Sequence, residues 1–256
     1  MIKRDYHVHT TFCDGKNTAE EMVRAAIKLG MDEIGFSGHA YQPFDPDYCM
    51  SKEGSRAYRL EILRLREKYA DKIKIYLGVE KDLFSEEDTE GLDYVIGSTH
   101  YLKFGDDYIA VDAGADVLGD AIERYFDGDA LALCEAYYEN VAKIGGIIRP
   151  TIVGHFDLVT KYNAGGRFFD ESAPRYVAAW RRAADELLRT CRLFEINTGA
   201  MFRVGRKRPY PSLEIIKYIK SRGGRFILSS DSHRTETLCG NFERYEKYAD
   251  VERLFG

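Results

Sequence analysis

The sequence predicts an α/β fold in which about seven parallel strands close into a barrel. Seven short apolar segments have the character of strands, and amphipathic helical segments lie between most of them. This alternation predicts parallel strands, and about seven of them favour closure. An open doubly wound sheet is the alternative, but it would normally carry a glycine-rich nucleotide loop after its first strand, and HVHTTFCDG is not such a loop.

The elements follow one another in a regular order. The predicted strands are residues 2–9, 32–38, 72–80, 93–99, 150–155, 192–197 and 225–231. The first helix, TAEEMVRAAIKLG, has the capping-box pair Thr18 and Glu21 and stops at Gly30. Apolar residues at helical spacing predict four further helices: YRLEILRLREKYA, LCEAYYENVAKIG, RYVAAWRRAADELLRT and SLEIIKYIKSRGG. The stretch 101–128 breaks the rhythm and is predicted to form a long loop of the kind that often covers a site.

Composition predicts one soluble domain over residues 1–256, because 45% hydrophobic content can supply a substantial core. With 37 basic and 42 acidic residues, the net charge of −5 offers no general attraction for nucleic acid. The five cysteines are scattered and form no Cys-x-x-Cys pair, which favours the reducing cytoplasm over a disulfide framework. We expect no membrane association, since neither a leader nor an apolar run of about 20 residues occurs.

Potential metal ligands concentrate at the ends of the predicted strands. All six histidines lie there, as do two carboxylates, and a third carboxylate lies in the short loop after the first strand. The nine residues are His7, His9, Asp14, His39, Glu80, His100, His155, Asp231 and His233. The C-terminal ends of parallel strands meet at one mouth, so these side chains should converge. At three to four protein ligands per ion, nine candidates predict two or three divalent ions.

Two local patterns support this interpretation. His7 and His9 are two residues apart, which places both imidazoles on one face of a strand, and Asp231 and His233 repeat that spacing at the last strand. Either pair alone is compatible with histidines at a solvated strand end or with an aspartate that caps a helix. Their coincidence with four other strand ends favours a metal site.

The order of these groups resembles the polymerase and histidinol phosphatase (PHP) family of metal-dependent phosphoesterases. The matching segments, in the family's order, are DYHVHTTFCDG, GFSGHA, YLGVEKD, VIGSTH, IVGHFDL, FEINTGA and SSDSH. They extend over nearly the whole chain, and PYPSLEIIKYIKSRGGRFILSSDSH is similar to the histidinol-phosphatase branch. The resemblance implies a distorted, seven-stranded TIM-like barrel with a trinuclear metal cluster.

The resemblance also implies a ligand set for each metal. The first metal would be bound by His7, His9, Glu80 and Asp231, the second by Glu80 as a bridge with His100 and His155, and the third by Asp14, His39 and His233. Many relatives have histidine at the position of Asp14, which leaves open the choice among zinc, manganese and iron at the third site. Glu80, Asp231 and His233 are the expected catalytic residues. Two bridged cations would convert a shared water into hydroxide, the expected nucleophile.

Further residues are candidates for substrate contacts. Phosphate charge would be bound by Arg203, in the loop after FEINT, with Lys161, Arg234 and Asn197 as weaker candidates. Arg203 could instead be a solvated loop arginine, and Asn197 could bond the barrel rim. Asp157 is expected to orient His155 by bonding the ring nitrogen that does not bind metal, as metal-bound imidazoles usually require. A helix cap is the alternative for Asp157.

The leading functional hypothesis is a phosphomonoesterase that acts on a small-molecule phosphate ester, namely L-histidinol phosphate in histidine synthesis. The alternatives are another small-molecule phosphatase and a nucleic-acid phosphodiesterase. The acidic net charge argues against the phosphodiesterase. An amidohydrolase would be expected to have a bridging lysine where this chain has Glu80. A non-enzymatic, metal-stabilised domain is disfavoured because no ligand position is vacated. The sequence does not determine the oligomeric state.

Overall fold

A computed structural model of the protein describes residues 3–255. The strands are β1 (Arg4–Asp5), β2 (Glu33–Phe36), β3 (Lys74–Asp82), β4 (Tyr94–Ser98), β5 (Tyr101–Phe104), β6 (Asp107–Ala110), β7 (Ile152–Val153), β8 (Leu193–Asn197) and β9 (Arg225–Ser229). Seven of them form one parallel sheet in the order β1-β2-β3-β4-β7-β8-β9. The predicted fold class, a parallel α/β barrel, is confirmed. The first residue of the predicted strand 2–9 lies outside the described residues.

The sheet curves until its two outer strands almost meet. Beyond the ends of β1 and β9, Val8 and Ser232 form a parallel bridge. The amide of His9 donates to the carbonyl of Ser232 at 2.8 Å, and the amide of Ser232 donates to the carbonyl of His7 at 3.0 Å. These bonds join the first and last strands at the C-terminal mouth of a nearly closed barrel. The chain segments that carry His7, His9 and His233 are thereby held next to one another.

The helices connect the strands. They are α1 (Ala19–Lys28), α2 (Lys52–Lys68), α3 (Ala115–Phe126), α4 (Ala130–Ile147), α5 (Pro174–Leu187), α6 (Gly199–Arg203), α7 (Leu213–Ser221) and α8 (Phe242–Tyr245), with 3₁₀ turns at Leu158–Thr160, Thr235–Thr237 and Glu246–Tyr248. The capping box is present in α1, since the Thr18 hydroxyl accepts from the Glu21 amide and the Glu21 carboxylate accepts from the Thr18 amide. Within residues 3–255, no helix combines the length and apolar character needed to cross a bilayer.

The prediction of a long loop over residues 101–128 is wrong. This stretch forms an antiparallel hairpin, β5 and β6, followed by helix α3. Phe104 pairs with Asp107, so the turn contains only Gly105 and Asp106, and Gly105 adopts a φ of +58°. Two-residue hairpin turns require a positive φ at their first residue, and Gly105 supplies it. The hairpin signal was therefore present in the segment FGDD, but it is too short to be distinguished from an ordinary loop. That residues 1–256 form a single domain stays a prediction.

Candidate metal centre

The predicted ligands gather at the C-terminal mouth of the barrel, where they border a cavity of about 720 Å³. Seven of the nine line this cavity: Asp14, His39, Glu80, His100, His155, Asp231 and His233. His7 and His9 are fully buried, and each lies close to Glu80 and Asp231. The strand order therefore brings together residues that are more than 200 positions apart.

Glu80 occupies the centre of this group and is 1% exposed. Its Oε1 lies 2.7 Å from Nε2 of His155 and 3.4 Å from Nε2 of His100. Its Oε2 lies 3.0 Å from Nδ1 of His39 and 3.3 Å from Nε2 of His7. Each oxygen of the carboxylate faces its own set of imidazoles, which is the arrangement that a bridging ligand requires.

The spacing around His7 and His9 fits a metal ion. Their Nε2 atoms are buried and have no hydrogen-bond partner within residues 3–255. The Nε2 atom of His9 lies 3.3 Å from Oδ1 of Asp231 and 3.5 Å from Oε2 of Glu80. Two ligand atoms that each lie about 2.0–2.1 Å from a tetrahedral ion are roughly 3.4 Å apart. Asp231 supplies its carboxylate from a left-handed φ of +49°, a conformation that aspartate tolerates better than most residues.

A further group of potential ligands contains His9, Asp14, His39 and His233, whose ligand atoms lie within 4.8 Å of one another. The Asp14 carboxylate lies 2.9 Å from Nε2 of His233 and 3.8 Å from Nε2 of His39. Two other such groups are His7, His9 and Glu80, and His39, Glu80 and His100. His9, His39 and Glu80 each belong to two of these three groups, as ligands shared between neighbouring ions would.

The surroundings of these residues shift the pKa values of the buried histidines and carboxylates. Burial alone would lower the pKa of His7, but the carboxylates of Glu195 and Glu80 raise it to about 10. Burial would raise the pKa of Glu80, yet the surrounding histidines hold it well below its ordinary range. The pKa of Asp231 is likewise held low against burial, mainly by Arg203 and His7. Buried carboxylates that favour their charged form are suitable ligands for a divalent ion.

Glu195 was not predicted as a site residue, yet it holds two of the predicted ligands in place. This fully buried carboxylate accepts from Nδ1 of His7 at 2.8 Å and from the His155 amide at 2.6 Å. It also accepts from the Ser229 hydroxyl and from the Asn197 amide group. Metal-ligating histidines are usually held by such a partner at the other ring nitrogen. The available signal was a carboxylate inside the predicted strand 192–197, in the segment FEINT.

The predicted role of Asp157 in orienting His155 is wrong. Its Oδ2 accepts from the Ser212 amide at 3.0 Å and lies 4.0 Å from Arg206, so Asp157 connects its own loop to the loop that contains Arg206 and Ser212. Its side chain makes no helix-capping bond.

Asn197 is fully buried, and its Nδ2 donates to Glu195 at 2.9 Å and to Asp231 at 3.1 Å. Both N–H groups are used, so the bonds of Asn197 place it beneath the rim and leave no donor for phosphate.

Three of the predicted phosphate-binding residues border the cavity. Arg203 ends α6, and its guanidinium donates to Asp231 at 2.5 Å and lies 2.9 Å from Nδ1 of His233. Lys161 lines the cavity, where it donates to the carboxylate of Asp112 at 2.9 Å. Arg234 also lines it and is exposed. Of these three cations, Arg203 is the one with a recorded contact to the predicted metal ligands.

A parallel barrel with a centre of histidines and carboxylates at its mouth is the architecture of a metal-dependent hydrolase. Residues 5–199 match the family model described as the PHP domain. That match covers most of the chain, and the protein belongs to the PHP family. The resemblance in the sequence motifs is thereby confirmed.

Two relatives with a curated description are both named histidinol-phosphatase. The histidinol-phosphatase of Bacillus subtilis is 33% identical over 186 residues, covering 63% of this chain and 68% of that protein. The histidinol-phosphatase of Lactococcus lactis subsp. lactis is 31% identical over 249 residues, covering 91% of this chain and 85% of that protein.

Solved structures show the same fold. A candidate histidinol phosphatase from Listeria monocytogenes superposes with a TM-score of 0.79 at 22% identity, covering 94% of this chain and 99% of that one. The Lactococcus lactis histidinol phosphate phosphatase superposes with a TM-score of 0.66 at 23% identity, covering 96% and 94%. The latter crystal structure contains zinc, L-histidinol and phosphate.

Proposed function

We propose that this protein is a metal-dependent phosphomonoesterase that hydrolyses L-histidinol phosphate in histidine synthesis. The observation that carries the proposal is the Glu80-centred cluster, in which imidazole nitrogens surround a buried carboxylate at the base of a cavity. The names of the relatives support the choice of leaving group. Five free cysteines are consistent with a reducing, cytoplasmic setting.

Different residues of the chain would bind the metal ions and the phosphate. We assign all nine predicted ligands to a cluster of up to three ions, with Glu80 as the bridge. Divalent zinc, manganese or iron bound there would activate water and polarise the phosphoryl oxygens. Arg203, Lys161 and Arg234 would bind the remaining phosphate charge, because an ester dianion in a buried site needs cationic partners. Asn197 and Glu195 would hold Asp231 and His7 in place.

Metal-replete protein should contain two to three divalent ions per chain, because the ligand groups overlap and exceed what one ion uses. Elemental analysis of protein purified without chelators and reconstituted with manganese, zinc or iron measures this directly. Chelation should abolish phosphatase activity, and readdition of metal should restore it. A content of one ion or none would contradict the cluster.

Replacing Arg203 by alanine should lower kcat/KM for phosphomonoesters roughly ten- to a hundredfold, since a charge-assisted hydrogen bond to phosphate contributes on the order of 1.5–3 kcal/mol. Metal content should stay unchanged. Lys207→Ala, at an exposed position in the same basic stretch, is the matched control. If Arg203→Ala keeps kcat/KM within about twofold of wild type, the phosphate is bound elsewhere, and Lys161 and Arg234 become the next positions to test.

The substrate is tested with a panel of phosphomonoesters that includes histidinol phosphate and 4-nitrophenyl phosphate, alongside a dinucleotide and an oligonucleotide. We expect the highest kcat/KM for histidinol phosphate and little cleavage of the phosphodiesters. Preferential cleavage of the dinucleotide or oligonucleotide would overturn the proposal in favour of a phosphodiesterase.

A further inference from the structure

The cavity has a wall that the metal cluster and its arginines do not form. This wall consists of the loop 40–50, which follows β2, and the β5–β6 hairpin, which follows β4. The ring of Phe44 stacks on Tyr108 with centroids 3.6 Å apart and meets Tyr101 edge-on at 5.0 Å. The Tyr101 hydroxyl donates to Asp45. These contacts fix the loop against the hairpin, on the β2 to β4 side of the mouth, whereas Arg203 and Arg234 come from the β8 and β9 side.

Asp45 on this wall has no cationic partner among residues 3–255. The cavity carboxylate Asp112, by contrast, is paired with Lys161 at 2.9 Å. Within the described part of the chain, the carboxylate of Asp45 accepts only from the Tyr101 hydroxyl and, at 3.3 Å, from the Tyr48 amide. An ionised carboxylate has about four acceptor positions, so two remain for a ligand. A carboxylate on the wall of a cavity with free acceptor positions is suited to a cation that donates N–H groups.

Gln42 gives an independent sign that a ligand contacts this wall. It lines the cavity, is 3% exposed, and neither its amide oxygen nor its amide nitrogen has a hydrogen-bond partner among the residues that the structure describes. Buried amides are nearly always hydrogen bonded, because an unsatisfied one loses its interactions with water without replacement. A polar ligand in the cavity can supply both an acceptor and a donor to it.

We propose that Gln42 and Asp45 form the leaving-group site, and that they select phosphate esters of alcohols that carry a protonated amine or a protonated nitrogen heterocycle. The site rests on the proposed phosphomonoesterase function and deepens it by placing specificity in the loop after β2. The cations of the β8 and β9 loops bind the phosphate, and the opposite wall binds the positive charge of the alcohol. An ester with an uncharged alcohol gains nothing from Asp45.

The test is Asp45→Asn, which keeps the size of the side chain and an acceptor for Tyr101 while removing the charge. We expect the ratio of kcat/KM for histidinol phosphate to that for 4-nitrophenyl phosphate to fall roughly ten- to a hundredfold. Calorimetric binding of histidinol to the metal-loaded protein should weaken by a similar factor, and Gln42→Leu should also weaken it. Asp47→Asn removes the same charge from an exposed position in the same loop and should change neither quantity.

The outcomes separate this inference from the proposed function. If wild type prefers histidinol phosphate and Asp45→Asn retains that preference, the leaving-group site is wrong and the phosphatase assignment stands. Equal losses for both esters would also overturn the site, since they indicate damage to the metal centre. If wild type cleaves no phosphomonoester, the phosphatase assignment fails, and histidinol binding decides the site by itself: binding that weakens in Asp45→Asn supports it, and no binding to wild type rejects it.

Discussion

Glu80→Gln should reduce phosphatase turnover to less than about a tenth of the wild-type rate, a loss above ~1.4 kcal/mol of transition-state stabilisation. The reason is the position of the carboxylate, whose two oxygens face His155 and His100 on one side and His39 and His7 on the other. An amide has the same shape but only one acceptor atom and no charge, so it cannot serve both sets.

The measurement is kcat at saturating metal, together with the metal content of the variant. Metal content should fall along with activity, because the ions that share Glu80 lose a common ligand. Glu86→Gln, at an exposed position in the segment that follows β3, is the matched control and should behave as wild type. A Glu80→Gln protein that keeps its metals and more than a tenth of its activity would show that Glu80 is not the bridge.

The positions of the candidate ligands could be predicted because parallel strands impose them. His100 and His155 follow the ends of β4 and β7, and a barrel places such ends at one mouth whatever lies between them in sequence. The helix α1 was predictable for a local reason, since the capping box at Thr18 and Glu21 involves residues three apart. Both are features in which short sequence patterns decide the geometry.

Partners that support the ligands could not be predicted in the same way. Glu195 is bonded to His7, a residue 188 positions away, and nothing in the segment FEINT distinguishes a carboxylate that binds metal from one that holds a histidine. Asp157 is near His155 in sequence, but its carboxylate bonds the Ser212 amide instead. Such contacts depend on the final packing of side chains between strands and loops, which sequence spacing does not encode.

Glu195→Gln should weaken metal binding by about ten- to a hundredfold, the usual effect of removing a carboxylate behind a metal-bound histidine. Burial would raise the pKa of Glu195, but His7 and His155 lower it, so the native residue is charged. Its negative charge orients the His7 ring and makes Nε2 a stronger metal ligand. A neutral amide retains an acceptor for the His155 amide but cannot give His7 the same electrostatic support.

The expected pattern distinguishes this variant from Glu80→Gln. Competition with a calibrated chelator should show the lower affinity of Glu195→Gln, while excess metal should restore most of its kcat, because every predicted ligand is still present. Excess metal should not rescue Glu80→Gln, which lacks the bridge itself. Glu214→Gln, at an exposed position in α7, controls for the loss of one carboxylate. Metal affinity of Glu195→Gln within about threefold of wild type would mean that His7 is held by its packing rather than by the charge of Glu195.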